Sequence, residues 1–317
     1  MTGLSEFELI EKFFAGLVPL HSEIDLGIGD DCAVVQIPPG QSLCLSMDTM
    51  VEGVHFPVNA APGKIAYRAL ASAISDLAAM GARPSHFTLS LTLPNSDERW
   101  LSGFSQGLKL CCSKYDVTLV GGDTTKGPLV IAIQVHGFTP KGQELRRSGA
   151  RIGDIIAVTG TLGDAGAALD FLDKVEVNKD VAYLLNRYFA PSPRIIQGEA
   201  LRGLATSCID ISDGLLADMA HLADKSALRF EIDIEKLPLS ESLENIQGDK
   251  ASMLALTAGD DYELLFTIPE SQWAGLEGSI TKSIFTSIGV VKEGAGVAVM
   301  RKNKPLNFSR SGFQHFE

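Results

Sequence analysis

Apolar and polar positions along the first half of the chain follow both helical and strand periods. Residues 5–16 repeat with a helical period, and a longer helical pattern begins at Pro62 and ends before Gly81. Alternating or continuous apolar runs bounded by turn residues indicate strands between these helices. The predicted strands are 32–37, 42–48, 85–93, 117–123 and 128–138, with a further helix at 97–115 and a glycine-rich loop between the last two strands.

The second half repeats the alternation of strand and helix. Two strand–turn–helix patterns lie at 154–172 and 206–226, and further strands are predicted at 231–239, 262–269 and 285–291. A polar segment at 139–154, with glycines and four basic residues, is typical of a domain boundary. The pattern therefore predicts an α/β (α+β) protein, with an N-terminal α+β domain at 1–140 and a C-terminal α/β domain at 150–317.

Composition narrows the function classes. The 317 residues carry 39 acidic and 27 basic side chains, a net charge of -12, which argues against nucleic acid as a partner. No apolar stretch is long enough to cross a membrane, and the first residues form an amphipathic pattern rather than a secretion signal. The five cysteines are odd in number and lack paired metal-ligand spacing. A reduced, cytoplasmic protein is the expectation.

Acidic residues recur beside glycine or serine at the predicted ends of apolar strands. Strand ends that converge in a fold are common places for ligand sites. Turn chemistry alone could explain Asp30 and Asp31, because aspartate bonds its own backbone in turns. Divalent cations would reconcile so much negative charge with a phosphate ligand. The six acidic segments are 27–35, 46–56, 75–84, 121–128, 209–218 and 258–266.

Two of these segments have a structural alternative. Asp76 shares a helical stripe with Arg68 and Ser72, which fits either a metal ligand or a solvated polar stripe. Ser212 or Asp213 would serve equally well as a helix N-cap, although a cap would not explain Asp210. The same helix start could hold a nucleotide phosphate through magnesium.

Candidate phosphate contacts are few. We expect His55, Lys126 and Arg147 to contact phosphate, and no P-loop or protein-kinase motif is present. Asp48 follows an apolar run that would bury it, so we expect a cation at that strand end. Cys32 has the pattern of a small core residue at a strand start.

The seven segments "GIGDDCAVV", "SMDTMVEGVHF", "SDLAAMGARP", "GGDTTKGP", "RSGARIGD", "ISDGLLAD" and "GDDYELLF" together resemble the thiamine-monophosphate kinases of the aminoimidazole ribonucleotide synthetase-like superfamily. The resemblance runs from about residue 24 to residue 316. It implies ATP as co-substrate, several magnesium ions, and phosphorylation of thiamine monophosphate to thiamine diphosphate. It also implies a homodimer that pairs through the sheet of the N-terminal domain.

The resemblance also implies roles for individual residues. Met47 often appears as Thr in the family, which is harmless if its carbonyl binds the metal, and Asp260 often appears as Glu, so Asp261 is an alternative there. ATP contacts would be Gly122, Asp123, Arg147 and Ser212, and substrate contacts His55, Asp260 and Phe313. Asp48, Asp76, Asp123 and Arg147 would act in catalysis. Magnesium ligands would be Asp31, Ser46, Met47, Asp48, Asp76, Asp123, Asp210 and Asp213, with Asp30 as an outer ligand.

Two other functions fit parts of the pattern. Another ATP-dependent synthetase of the same superfamily would share "SDLAAMGA" and "SDG", and a non-catalytic metal or nucleotide sensor would share the acidic segments. For the kinase we expect direct in-line transfer without a phosphoenzyme. His55 is the one candidate nucleophile within a motif, and its apolar neighbours Val54 and Phe56 offer no local group to orient it.

Overall fold

A computed structural model describes residues 5–277 and 284–306 of the chain. The chain divides into two compact units, one of residues 1–77 and 82–142 and one of residues 78–81 and 143–317. The change at residue 142 falls inside the polar segment 139–154. No described helix is long and apolar enough to cross a membrane.

The first unit is built around a four-stranded sheet. Its strands have the order β3 (Gln41–Val51), β6 (Val130–Pro140), β4 (Arg83–Leu93) and β5 (Thr118–Lys126), so that β3 and β5 form the two edges. β6 pairs antiparallel with β3 and with β4, whereas β4 and β5 are parallel. The elements of this unit are α1 (Glu6–Phe13), β1 (Ile24–Leu26), β2 (Val34–Val35), β3 (Gln41–Val51), α2 (Pro62–Ala79), β4 (Arg83–Leu93), α3 (Glu98–Tyr115), β5 (Thr118–Lys126) and β6 (Val130–Pro140).

Local signals in the sequence set the helix ends. Ser5 caps α1 in a capping box with Glu8, and Asp97 caps α3 by accepting the N–H of Arg99. Pro62 is the first residue of α2, where its missing N–H costs nothing. Helices α2 and α3 approach closely: a Cβ on Gly107 would lie 2.1 Å from the carbonyl oxygen of Gly63. Glycine is therefore required at that crossing.

The two faces of the four-stranded sheet differ. Residues of one face, such as Leu89 and Ile133, are buried, and Asp76 of α2 bonds to Ser46 on this side. The other face of the edge strand β3 presents exposed apolar side chains. Leu43, Leu45 and Met47 are 38%, 59% and 60% exposed.

The second unit contains a seven-stranded sheet of order β13-β12-β9-β11-β7-β10-β8, in which every pair is antiparallel except β9 with β12. Its core includes Ile156, Phe230 and Leu265. Its strands are β7 (Ile155–Thr159), β8 (Ser207–Asp210), β9 (Arg229–Asp233), β10 (Leu264–Ile268), β11 (Phe285–Lys292), β12 (Gly296–Arg301) and β13 (Lys304–Leu306). Its helices are α4 (Asp164–Ala168), α5 (Lys179–Phe189), α6 (Ile195–Ala200), α7 (Leu215–Ser226), α8 (Glu241–Gln247), α9 (Ala251–Thr257) and α10 (Glu270–Glu277).

The mixed α/β fold class is confirmed, and three details of the prediction are wrong. The glycine-rich loop after β5 is short, because β5 continues through the polar residues up to Lys126. Asp48 lies inside β3 rather than at its end, since the strand extends to Val51. Cys32 is exposed and not a core residue, because the chain around it forms a surface turn before β2.

Candidate active site

Two carboxylates and a hydroxyl group meet where β3 faces α2. The Ser46 hydroxyl donates to Oδ2 of Asp76 at 2.5 Å. Burial and, to a smaller extent, the nearby charge of Asp76 together raise the pKa of Asp48 to about 7. These groups are hard oxygen donors, the ligand type that magnesium prefers. The arrangement therefore suits a divalent cation, whose charge would offset both the burial and the repulsion.

The stripe that contains Asp76 is not a solvated face. Arg68 and Ser72 are both only 2% exposed, and the Ser72 hydroxyl donates to the carbonyl oxygen of Arg68 at 2.8 Å. Only Asp76 of the three is partly exposed. The solvated-stripe interpretation is wrong, because α2 is buried on almost every side and the stripe lies within the unit.

A cavity of about 820 Å³ lies in the first unit beside α1. Residues 28–33 line it together with parts of β4 and β5, and they bring Asp30, Asp31, Gly122 and Asp123 to the same space. The backbone N–H of Asp31 donates to Oδ1 of Asp30 at 2.8 Å, so Asp30 stabilises the turn as turn chemistry predicts. Both aspartates are exposed and can accept a ligand from solvent.

Gly122 lies so close to the neighbouring strand β4 that the sheet requires glycine at this position. Its φ is +151°, and a Cβ there would lie 1.9 Å from the carbonyl oxygen of Leu89 on β4. No other residue type fits so close to the neighbouring strand. Asp123 follows it, pairs in register with Ser90, and is exposed.

Asp48 and Asp123 lie far apart within one chain. In the strand register Asp48 is opposite Ile133, which is opposite Leu89, which is opposite Gly122. Three spacings between strands separate Asp48 from the neighbour of Asp123, a distance of about 14 Å. In agreement, no three His, Cys, Asp or Glu side chains in the described ranges are grouped so that they could hold a metal ion.

His55 has an orienting partner that the sequence did not suggest. The backbone N–H of Val51 donates to Nδ1 of His55 at 3.0 Å. In the neutral ring the proton is therefore on Nε2, which is a hydrogen-bond donor. The expectation that nothing local orients this ring is wrong, because the turn after β3 brings His55 back to the backbone N–H of Val51.

The second unit contains the turn that links β8 to α7. Asp210 ends β8 and is buried, and Ser212 and Asp213 follow in the turn. Neither Ser212 nor Asp213 caps α7, so that alternative is wrong. Asp218, inside the helix, accepts the N–H groups of Ser212, Asp213 and Gly214 at 3.1 Å each.

The segment 258–263 is joined to this turn by its backbone. The N–H of Asp260 donates to the carbonyl oxygen of Ser212 at 2.8 Å, and Asp260 has a positive φ of 69°. Asp261 is fully buried, and both its oxygens accept the N–H of Gly163. Burial raises the pKa of Asp261 well above its usual value. Asp261 is thus committed to the interior, and the partly exposed Asp260 is the better candidate for a substrate contact.

A buried ionic cluster at the end of this segment was not predicted from the sequence. Glu263 is fully buried and accepts hydrogen bonds from Arg187 at 2.9 Å and from Arg194 at 2.5 Å. The Thr159 hydroxyl also donates to it at 2.6 Å. Glu263 was visible inside a quoted motif, but no sequence spacing connects it with the two arginines, which come from α5 and from the residue before α6.

For the remaining predicted residues the structure gives only their position and exposure. Arg147 and Lys126 are exposed, in the second and first units respectively, and Met47 is exposed on β3. Phe313 lies outside the described residues. The predicted ligands therefore divide between the two units, with Asp210, Ser212, Asp213 and Asp260 in the second.

Comparisons with known proteins cover both units. Residues 29–139 match the model of the AIR synthase related protein N-terminal domain, and residues 151–303 match that of the C-terminal domain. The thiamine-monophosphate kinase of Escherichia coli K12 is 45% identical over 98% of each chain.

Two solved structures have the same fold as this chain. The thiamine-monophosphate kinase of Stenotrophomonas maltophilia K279a superposes with a TM-score of 0.86 at 40% identity, covering 94% of this chain and 97% of that one. A structure described as AaThiL complexed with AMPPCP and TMP gives 0.80 at 36% identity, covering 91% and 92%. This chain belongs to the thiamine-monophosphate kinase family, within the AIR synthase related proteins.

Proposed function

We propose that this chain transfers the γ-phosphoryl group of ATP to thiamine monophosphate, giving thiamine diphosphate and ADP. The observation that carries the proposal is the family match along almost the whole chain, together with the relative described in complex with AMPPCP and TMP. An oxygen of the acceptor phosphate forms the new bond to the γ-phosphorus, and the bond from that phosphorus to the ADP oxygen breaks.

We propose that the acidic residues bind several magnesium ions together with the nucleotide. Asp48 and Asp76 are close enough for each to disfavour the charge of the other, and Ser46 adds a hydroxyl oxygen to the same place. When bound, magnesium would neutralise the phosphate groups that have to approach one another. The residues that we propose as ligands are Asp31, Ser46, Met47, Asp48, Asp76, Asp123, Asp210 and Asp213, with Asp30 as an outer ligand.

The nucleotide and substrate contacts that we propose are those that the family resemblance implies. We propose Gly122, Arg147 and Ser212 for ATP, since Gly122 lets the backbone come close and Arg147 is exposed. His55 would donate from Nε2 to the acceptor phosphate, because Val51 holds the other ring nitrogen. Asp260 and Phe313 would contact thiamine monophosphate.

We propose direct transfer without a covalent phosphoenzyme. The Nδ1 of His55 already accepts a hydrogen bond, so in the neutral ring its Nε2 carries the proton and is not a nucleophile. The aspartates are better used to hold cations. Positioning and neutralisation of charge account for most of the catalysis of phosphoryl transfer in other enzymes, so no covalent step is needed.

We also propose that the protein is a homodimer in the cytoplasm. The exposed apolar face of the edge strand β3 would be covered by a second copy, because an edge strand with apolar side chains is prone to association. All five cysteines are free, which suits a reducing compartment.

Two other functions would show themselves in the same assay. A synthetase of the superfamily would consume ATP only with an aminoimidazole precursor, and a sensor would bind nucleotide without turnover. Neither is favoured by an observation on this chain. Phosphate transfer measured across thiamine, its monophosphate and the aminoimidazole precursor separates the three.

Thiamine monophosphate should be phosphorylated and free thiamine should be a poor substrate. A site built around a charged phosphate leaves its polar groups unpaired with the analogue, so we expect kcat/KM to fall by at least about 100-fold for thiamine. Product formation by chromatography measures both rates. Comparable kcat/KM values for the two acceptors would contradict the proposed recognition.

Asp48→Asn or Asp76→Asn should lower the activity at saturating magnesium by at least about 100-fold, because each removes an anionic ligand. The unfolding temperature should not fall, since removal of one carboxylate relieves the repulsion between the two. Asp25→Asn, at an exposed carboxylate of the same unit, is the matched control. Full activity of the first two variants with an unchanged magnesium requirement would rule out the ligand assignment.

The stereochemistry of transfer tests the direct route. One in-line displacement inverts the configuration of a chiral γ-phosphoryl group, whereas a phosphoenzyme relay of two displacements retains it. We expect inversion, read from the product by phosphorus NMR. Retention, or a labelled enzyme trapped with γ-labelled ATP without acceptor, would show that a covalent step occurs.

Leu45→Asp should weaken the dimer, because it places a charge on the apolar face of β3, where Leu45 is 59% exposed. Leu110→Asp on α3 is the matched control, since Leu110 is 67% exposed and lies on a helix. Sedimentation velocity over a range of concentrations measures both variants. A wild-type monomer, or equal dissociation of the two variants, would argue against a dimer through this face.

A further inference from the structure

The carboxylate of Asp218 lies beneath the turn that connects β8 with α7. It is only 2% exposed, and one of its oxygens accepts the backbone N–H groups of Ser212, Asp213 and Gly214, each at 3.1 Å. Three consecutive donors thus converge on a single side-chain oxygen. Nothing in the proposed reaction yet uses Asp218, and the side chain is too buried to act as a ligand itself.

The helix start depends on this carboxylate. Gly214, the residue before α7, provides no side-chain cap and has a φ of 118°. Without Asp218, the N–H groups at 212–214 would lose their acceptor at the positive end of the helix. Burial and the nearby charge of Asp213 raise the pKa of Asp218 to about 7, while the three N–H donors oppose the shift. Desolvation thus opposes the charged form of this carboxylate, and the three N–H groups stabilise it.

The other side of the turn is fixed by 258–260. The carbonyl oxygen of Ser212 accepts the N–H of Asp260 at 2.8 Å. A Cβ on Gly259 would lie 2.3 Å from that same oxygen, and one on Gly214 would lie 2.8 Å from the carbonyl oxygen of Thr257. The backbone of the turn is packed closely against 257–259 on this side. Asp218 holds the turn from the opposite side through its three hydrogen bonds.

We propose that Asp218 is a positioning residue for the magnesium–nucleotide complex. It sets the backbone of 212–214 so that Ser212 and Asp213 present their side chains to the ligand, and it occupies the N–H groups that would otherwise form an anion cradle. The magnesium–nucleotide complex therefore contacts this turn through side chains and the metal, and these three backbone amides do not bind it. The inference rests on the proposed function, because that function makes Ser212 and Asp213 ligands.

The test compares Asp218→Ala with Asp218→Asn, which keeps one carbonyl oxygen as an acceptor. Asp224→Ala is the control, since Asp224 is an exposed aspartate of the same helix. Affinity for AMPPCP in magnesium is measured by calorimetry and amide exchange over 212–214 by mass spectrometry. We expect Asp218→Ala to lose at least about tenfold in affinity, with faster exchange at 212–214 and retained protection later in α7. Asp218→Asn should recover most of the affinity, and Asp224→Ala should match the wild type.

A folded Asp218→Ala variant with wild-type affinity would overturn the inference. The inference would also be overturned if Asp218→Ala and Asp218→Asn lost equal affinity for AMPPCP and this loss only paralleled a lower unfolding temperature. That pattern would indicate general destabilisation of the protein. The proposed function fails separately, if wild-type protein binds magnesium and AMPPCP but does not phosphorylate thiamine monophosphate. A wild-type protein that does not bind AMPPCP would overturn both.

Discussion

The electrostatic cost of bringing carboxylates together governs this molecule. Asp48 on β3 and Asp76 on α2 are close enough that burial and mutual repulsion raise the pKa of Asp48 to about 7. A fold keeps such a pair when a cation offsets the cost or when the pair serves a reaction. With a net charge of -12, the chain is also poorly suited to bind polyphosphates unless cations bind with them.

Six of the acidic residues in the motifs differ in what surrounds them. Asp218 and Asp261 are buried and accept backbone N–H groups, and Glu263 is buried between two arginines. These three hold the turn at 211–214 and the segment at 258–263 in place. Asp30, Asp31 and Asp123 are exposed beside a cavity, where ligands from solvent can reach them. The first three build the loops, and the other three are available to a ligand.

Much of the fold could be predicted, because it follows local signals. Capping at Ser5 and Asp97, Pro62 at a helix start and the alternation in β4 and β6 are all visible in the chain. Among the elements of the described residues, three strands and five helices were not predicted: β1, β12, β13, α5, α6, α8, α9 and α10. All except the 11-residue α5 have three to eight residues, which carry too little periodicity.

The motifs predict candidate site residues, and the structure shows contacts of these residues that the sequence did not suggest. Motifs identify the acidic residues, but they do not show which carboxylates accept hydrogen bonds from the protein itself. Asp218 replaces the expected cap of Ser212 or Asp213 because it can reach back over one turn, and the partner of His55 is a main-chain N–H. Nor does sequence reveal that Asp48 and Asp123 are on opposite edges of a sheet, since that depends on the order of strands.

We propose that cations allow this acidic surface to bind a nucleotide. Calorimetric titration with AMPPCP, once in magnesium and once in EDTA, tests this dependence. Since metal and nucleotide should each favour the binding of the other, we expect the affinity to fall by about 100-fold when magnesium is removed. An equal affinity under the two conditions would contradict the account, because the carboxylates would then tolerate the phosphates without any counterion.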